Sequence, residues 1–228
     1  MAEPFVVVFA LYPGLTQLDF TGPFEVFAST PGVRVVVASE AGGELKSDKG
    51  LSFAGLARLA DVPGCDLICV PGGFGQVGAV KDAAFMAEVR RLADGARYVT
   101  SVCTGSLILG AAGLLEGKRA ASHWAWRDRL ALFGATPDPA RVVRDGNVIT
   151  GGGVTAGIDF ALTVVGELFG DAVAQAVQLS TEYAPEPPYD AGRPETVPPE
   201  VLRQVQAAYA RFAPERDAGL RAAAGAAA

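Results

Sequence analysis

The sequence predicts an α/β fold, a doubly wound and mostly parallel sheet with helices on both faces. Continuous apolar runs rich in β-branched residues are typical of strands buried on both sides, and they lie at 5–11, 33–39, 66–70 and 98–102. Between the last two runs, residues 82–93 repeat apolar side chains at helical spacing, with Asp82 as a suitable N-cap. A strand, a helix and a strand with a glycine-rich exit indicate the βαβ unit of a parallel sheet.

The rest of the chain continues this pattern, and one domain over residues 1–228 is expected. Further helices are predicted at 104–112, 124–133, 155–169, 171–182 and 200–212. Asp145-Gly146 indicates a hairpin within residues 142–150. Six prolines in the sixteen residues of 184–199 predict an extended surface arm. The alanine-rich end of the chain is expected to fray.

Composition excludes several classes of function. Hydrophobic residues make up 50% of the 228 residues and charged residues 19%, which argues against a disordered chain or a coiled coil. A formal net charge of −6 disfavours a nucleic-acid partner. No run reaches the roughly 18 apolar residues of a membrane span, and the N-terminus lacks the basic start of a signal peptide. The three cysteines are therefore predicted to be reduced thiols of a cytoplasmic protein.

The chemistry is expected at the carboxyl ends of the strands, where open α/β sheets bind ligands. The fourth strand runs into Cys103-Thr104-Gly105, which has the form of a nucleophile elbow with Ser101 in place of the first glycine. A cysteine at a helix start can have its pKa lowered from about 8.5 into the 3.5–7.5 range, so the Cys103 thiol is expected to titrate below a free cysteine. The alternative is that Cys103 is a small buried hydrophobe, and the local pattern leaves both interpretations open.

Other strand ends offer partners for this thiol. Asp19 follows the first strand in an apolar stretch and could be an acid/base group of raised pKa, or only a helix cap or turn residue. Thr104 could cap its own helix or direct its hydroxyl at a substrate. The N–H groups of Gly72 and Gly73, with that of Thr104, could form an oxyanion-type hole, or the two glycines could simply make a turn. His123 is the single histidine, and a lone histidine is more often structural than catalytic.

Metal and phosphate sites are not expected. Cys65 and Cys69 are four residues apart, but Cys103 and His123 are their only soft partners, so a structural zinc site is disfavoured. The glycines at 151–153 are not followed by Lys-Ser or Lys-Thr, so they do not make a P-loop.

Several motifs resemble the ThiJ/PfpI superfamily, which has the class I glutamine amidotransferase-like fold. They are LYPGLTQLDFTGPFEVFAS at 11–29, VPGGFG at 70–75, SVCTGSLILGAAGLLEGKRAASHWAW at 101–126 and VVRDGNVITGGGVTAGIDFAL at 142–162. The likeness covers about residues 5–212 and implies a flavodoxin-like sandwich. The motifs match best the branch that hydrates isocyanides to N-substituted formamides, as homodimers without metal or organic cofactor.

The resemblance implies roles for individual residues. The nucleophile of the family falls on Cys103, its acidic partner on Asp19, and the residue after the nucleophile on Thr104. Gly72, Gly73 and His123 are expected to contact the substrate. Peptidase-like members have histidine directly after the cysteine, so Thr104 argues against protease or amidase activity.

Two alternatives to the hydratase remain. The chain could be a non-catalytic ligand- or redox-sensing module, like the sensor half of AraC-type regulators, or another thiol hydrolase of the superfamily. Because no basic DNA-binding domain follows the last predicted helix, the free-standing enzyme is the expected function.

Overall fold

The computed structural model describes residues 3–227, so residues 1, 2 and 228 of the predicted domain lie outside it. The strands are β1 Phe5–Leu11, β2 Val33–Ser39, β3 Gly43–Lys46, β4 Ser52–Arg58, β5 Leu67–Val70, β6 Tyr98–Val102, β7 Arg119–Ala120, β8 Thr136–Pro137, β9 Val142–Asp145 and β10 Val148–Gly151. The α-helices are α1 Gln17–Ala28, α2 Gln76–Lys81, α3 Ala83–Gly95, α4 Gly105–Ala111, α5 Ala156–Phe169, α6 Asp171–Ser180, α7 Pro199–Ala210 and α8 Ala213–Ala227. Short 3₁₀ helices lie at Leu59–Asp61 and Arg127–Phe133.

Eight strands form the main sheet in the order β3-β4-β2-β1-β5-β6-β10-β9, and β7 pairs with β8 in a small second sheet. The strand pairs from β4 to β10 are parallel, and the edge strands β3 and β9 are antiparallel to their neighbours. On one side α1 packs against α5, and on the other α2 packs against α3 and α4. The predicted doubly wound α/β class is confirmed.

The centre of the sheet holds the core. Every residue of β5 is buried, as are residues 7–11 of β1, which is why both strands read as continuous apolar runs. The chain leaves β1 to build β2 and β4 on one side and then returns to build β5 on the other. The strand order therefore reverses between β1 and β5, which makes a topological switch point at their carboxyl ends.

Several predicted elements match the structure, and others need correction. Asp82 caps α3, because its carboxylate accepts the N–H groups of Ala84 and Phe85 at 3.1 and 3.0 Å. The hairpin turns at Asp145-Gly146 as predicted. The helix expected at 124–133 is a 3₁₀ helix from Arg127 to Phe133. Helices α1 and α2 and strands β3 and β4 have no counterpart in the prediction.

The C-terminal region differs most. The helix expected at 200–212 ends at Ala210, and a further helix, α8, occupies the region expected to fray. This second helix packs against α2 and α4, so tertiary contacts hold a segment whose composition suggests a loose end. The arm at 184–199 contains no regular element before α7, as predicted.

Candidate active site

A cavity of about 60 Å³ lies at the switch point, where the segments that follow β1, β5 and β6 meet. The segments after β1 and β5 are joined by an isolated bridge between Leu15 and Gly73. The hydroxyl of Tyr12 also donates to the Pro71 carbonyl at 2.9 Å. The cavity is lined by Thr16, Gly73, Phe74, Cys103, Thr104, His123, Trp126, Val154, Tyr209 and Arg216.

Cys103 occupies a nucleophile elbow. It follows β6 directly and has a φ of 57°, a left-handed conformation that non-glycine residues adopt only when their surroundings enforce it. Hydrogen bonds to both backbone groups of Cys103 enforce this conformation. Its N–H donates to the carbonyl of Gly151 at 3.0 Å. Its own carbonyl accepts hydrogen bonds from the hydroxyls of Ser106 and Ser122 at 3.0 and 3.1 Å. The elbow therefore turns the side chain of Cys103 into the cavity.

Asp19 is brought to the same place by α1. It lies in the first turn of this helix, which the sequence did not predict. Its side chain is fully buried, and Oδ2 accepts the N–H of Gly72 at 2.9 Å. Among the described residues, Oδ1 has no partner in hydrogen-bond geometry, which leaves this oxygen available to exchange a proton.

The pKa of the Asp19 carboxyl group lies close to physiological pH. Burial raises its pKa from 3.8 to about 7, and the adjacent Cys103 thiol and the Gly72 N–H only partly oppose this. Nearby Asp48 raises the pKa further. A carboxyl group with this pKa can both take up and give back a proton at physiological pH.

The thiol does not follow the sequence expectation. The pKa of Cys103 was expected below that of a free cysteine, but burial and the Asp19 carboxyl raise it well above the ordinary value. The N–H of Thr104 and the charge of Arg216 act in the opposite direction and are outweighed. The helix start is therefore insufficient here, and Cys103 is a thiol until a partner removes its proton.

Gly72 and Gly73 do not offer a free oxyanion hole. The N–H of Gly72 is bonded to Asp19, and that of Gly73 is bonded to Thr104 Oγ1 at 3.0 Å. A Cβ at Gly72 would lie 2.5 Å from the Thr104 nitrogen and 2.7 Å from Asp19 Oδ2. Both glycines thus position the site residues, and only Gly73 is among the residues that line the cavity.

Two variants of Thr104 test whether its hydroxyl group or only its size matters to the site. Thr104→Val removes the acceptor of the buried Gly73 N–H, an unmade hydrogen bond that costs about 1–3 kcal/mol. We expect a lower melting temperature and a slower reaction at the Cys103 thiol. The reaction should slow less than it does when Asp19 is changed. Thr104→Ser keeps the hydroxyl and should stay close to the unmodified chain in both measurements. Equal losses in the two variants would mean that the hydroxyl has no role.

His123, which was expected to contact the substrate, lines the cavity as a neutral ring. Burial, together with the charge of Arg216, lowers its pKa from 6.5 to about 4. Its Nδ1 accepts the N–H of Ala125 at 3.3 Å, and its ring meets Tyr209 edge to face at 5.6 Å. A neutral imidazole cannot supply a positive charge to a thiolate, so His123 contributes shape and at most a single N–H.

Two of the lining residues that no sequence pattern singled out lie near the C-terminus. Tyr209 comes from α7 and Arg216 from α8, and both reach the cavity from the far end of the chain. A periodic signal for α8 exists in Arg216 and Leu220, which are both buried at helical spacing. The alanine-rich surroundings hide that signal.

Two broader features of the described residues bear on function. No helix among them is both long and apolar enough to cross a membrane. Within the same range, the histidine, cysteine and acidic side chains form no group of three or more placed to hold a metal ion.

The doubly wound sheet, with a cysteine at an elbow and a buried carboxyl group beside it, defines a thiol-centred site at a switch point. The DJ-1/PfpI family model matches residues 6–167, and the chain belongs to this family. It is 52% identical over 198 residues to an isonitrile hydratase of Pseudomonas putida, covering 87% of each chain. A crystal structure of a ThiJ/PfpI family protein from Pseudomonas syringae has a TM-score of 0.92 at 42% identity, covering 97% of this chain and 91% of that one.

A regulator is also similar to this chain. The HTH-type transcriptional regulator CdhR of Pseudomonas aeruginosa is 29% identical over 184 residues, which cover 77% of this chain and 53% of the regulator.

Proposed function

We propose that this chain is an isocyanide hydratase, which converts an isocyanide and water to an N-substituted formamide. The observation that carries the proposal is the buried Asp19 carboxyl group beside Cys103, whose thiol faces a small cavity with aromatic walls. The 52% identity to the isonitrile hydratase of Pseudomonas putida supports it. Such a cavity suits a substrate whose reacting group has few atoms to recognise.

The first half of the reaction adds the thiol to the terminal carbon of the isocyanide. Asp19 takes the proton from the Cys103 sulfur, and the thiolate forms a bond to that carbon. Asp19 then delivers the same proton to the carbon, which gives a thioimidate, Cys–S–CH=N–R. A carboxyl group with a pKa of about 7 is suited to both transfers.

The second half adds water to the thioimidate. Asp19 removes a proton from water while the water oxygen bonds to the thioimidate carbon, and the proton passes to the nitrogen. The carbon–sulfur bond then breaks, the new hydroxyl loses its proton, and Cys103 recovers the thiol. The sum is R–N≡C plus water giving R–NH–CHO, with both residues restored. Dividing the hydration into two steps replaces one difficult barrier by two lower ones.

The substituent of the substrate has a place outside the inner cavity. A second cavity of about 720 Å³ shares His123 and Val154 with the inner one and is bounded by the proline-rich arm at residues 192–196. An isocyanide seated on Cys103 would direct its substituent toward these two shared residues. Broad tolerance toward the substituent is therefore expected.

The decisive experiment incubates the purified protein with a simple alkyl isocyanide and measures formamide by mass spectrometry. The proposal would be overturned if the protein formed no more than one formamide per chain, or if formamide formed no faster than it does without the protein. The similarity to a transcriptional regulator makes a sensing module the competing function. A sensor would bind the isocyanide and change its melting temperature without producing formamide.

We also propose that the protein is a cytoplasmic homodimer. Its three cysteines are free thiols, as a reducing compartment requires. Large apolar side chains remain exposed in α6, in the arm and after α7, with Leu179 81%, Tyr189 79% and Phe212 48% exposed. Light scattering is expected to give about 47 kDa, twice the chain mass of 23.5 kDa. A mass of one chain at micromolar concentration would contradict the dimer.

A further inference from the structure

Arg216 is a buried cation without an anionic partner. The residue is only 3% exposed, and among the described residues no carboxylate oxygen lies within 4.0 Å of its guanidinium. Its one hydrogen bond to the part of the chain that the structure describes is long, from Nη2 to the Gly73 carbonyl at 3.3 Å. Buried arginines normally face a carboxylate, because an unpaired charge away from water is costly. The position of Arg216 therefore calls for an explanation.

Aromatic faces hold the guanidinium in the cavity. Its central carbon lies 4.3 Å from the centre of the Trp126 ring and 5.7 Å from that of Phe74. Such contacts attract the cation and fix the plane of the group, but they do not neutralise its charge. The cavity therefore contains a positioned positive charge whose remaining donors are available.

The helix that carries Arg216 is fixed to the body of the protein. The next residue, Asp217, accepts two hydrogen bonds from Arg129 at 3.1 and 3.3 Å. Leu220 is buried, and a Cβ at Gly219 would lie 2.7 Å from the side chain of Val77 in α2. These contacts hold the turn of α8 that faces the cavity and keep Arg216 beside Cys103.

The charge of Arg216 is opposite to the negative charge that the proposed reaction moves from Asp19 to the Cys103 sulfur. Cys103 and Arg216 line the same cavity, and ionisation of the thiol would place a negative charge there. The other titratable or charged groups around the pair are Tyr12, Asp19, Asp48, His123, Arg129 and Tyr209. Asp19 opposes ionisation of the thiol until it takes up the proton, His123 is neutral, and the charge of Arg129 is balanced by Asp217.

We propose that Arg216 is a positioning residue that supplies the counter-charge for the Cys103 thiolate, which makes α8 part of the active site. The inference rests on the proposed function for its role in turnover, but its effect on the thiol exists without any isocyanide. Asp19 removes the proton, and Arg216 stabilises the charge that remains on sulfur. The two residues thus act on Cys103 from α1 and α8, which are distant in sequence.

The test measures the rate at which iodoacetamide alkylates Cys103 as a function of pH, with mass spectrometry to identify the modified residue. This reagent is neutral, so Arg216 does not steer it electrostatically. Arg216→Met removes the charge at similar length, and Arg216→Lys keeps it. Arg221→Met is the matched control, because Arg221 is an exposed residue of the same helix. Formamide production is measured in parallel.

Arg216→Met should slow alkylation at a fixed pH near neutrality by about tenfold or more, the effect of losing a nearby opposite charge. The pH profile should move toward higher pH, and turnover should fall mainly in kcat. Arg216→Lys should recover most of both rates, and Arg221→Met should match the unmodified chain. These alkylation results would hold even if no formamide were formed, so the inference and the proposed function can fail separately.

Three results would overturn the inference. One is a folded Arg216→Met variant that is alkylated at the unmodified rate and pH profile. Another is an equal loss in Arg216→Met and Arg216→Lys, since the charge would then be irrelevant. Arg216→Gln, which can still donate to the Gly73 carbonyl, is the second neutral variant. If both neutral variants unfold while the lysine variant folds, Arg216 is a structural residue instead.

Discussion

Cys103→Ala is expected to abolish formamide production and to leave the fold intact. The covalent route has no substitute for the sulfur, and loss of a nucleophile that acts as part of a unit reduces kcat by at least about 10⁴-fold. The change is small in volume, and alanine meets the same backbone strain at a φ of 57° that cysteine already bears. Formamide production by mass spectrometry and a thermal melt measure the two expectations.

The chain provides its own controls for this variant. Cys65 is half-buried away from the cavity, and burial, aided by Asp66, raises the pKa of its thiol to about 12. Cys69 is buried in β5, where alanine would leave a small core cavity. Cys65→Ala and Cys69→Ala should both be active, with Cys69→Ala somewhat less stable. Formamide production by Cys103→Ala near the rate of these controls would refute Cys103 as the nucleophile.

Asp19→Asn is expected to reduce turnover by at least about 10²-fold, the low end for a positioned proton transfer. Asparagine keeps the size of the side chain and an oxygen for the Gly72 N–H, so the shape of the site should survive. What it lacks is the exchangeable proton that both halves of the reaction use. An unchanged rate across the pH range would reduce Asp19 to a structural residue.

The same variant should be more stable than the unmodified chain at high pH. The pKa of Asp19 is about 7 in the folded chain against 3.8 as the ordinary value, so folding retains a proton that the unfolded chain has released. The cost of ionising the buried carboxyl is absent below about pH 4, grows as the pH rises to about 7, and is constant above that. By linkage it reaches at most about 4 kcal/mol.

Thermal melts of the two chains at pH 4 and pH 8 measure this difference. Asp19→Asn should melt several degrees higher at pH 8 and close to the unmodified chain at pH 4. Such a gain in stability with a loss of activity would mark Asp19 as a residue whose strain serves function. A difference of the opposite sign, or one that does not change with pH, would show that the carboxyl is not perturbed by burial.

The sequence was sufficient for features whose signals are local. A strand buried on both faces must be apolar along its whole length, so β1 and β5 are visible in the residues themselves. An elbow needs a strand end, a nucleophile directly after it, a small residue two positions beyond the nucleophile, and a helix. All of these are contiguous around Cys103. Thr104 was singled out because it lies beside such a strand end, and Asp19 because it lies in the apolar stretch that follows the first strand; the fold then places both near the thiol.

Only the tertiary structure decided the electrostatics of the site, because burial and distant contacts are properties of the assembled chain. The amides of Gly72 and Gly73 were expected to face a substrate, yet they hold Asp19 and Thr104. The thiol of Cys103 was expected to be acidic from its helix start, yet burial beside a carboxyl group reverses the direction of its pKa. Arg216 could not be placed from its neighbours in sequence, because its environment is formed by the packing of α8 on the body of the protein. Local patterns indicate the buried strands and the elbow, and the meeting of remote elements determines which protons and charges the site can hold.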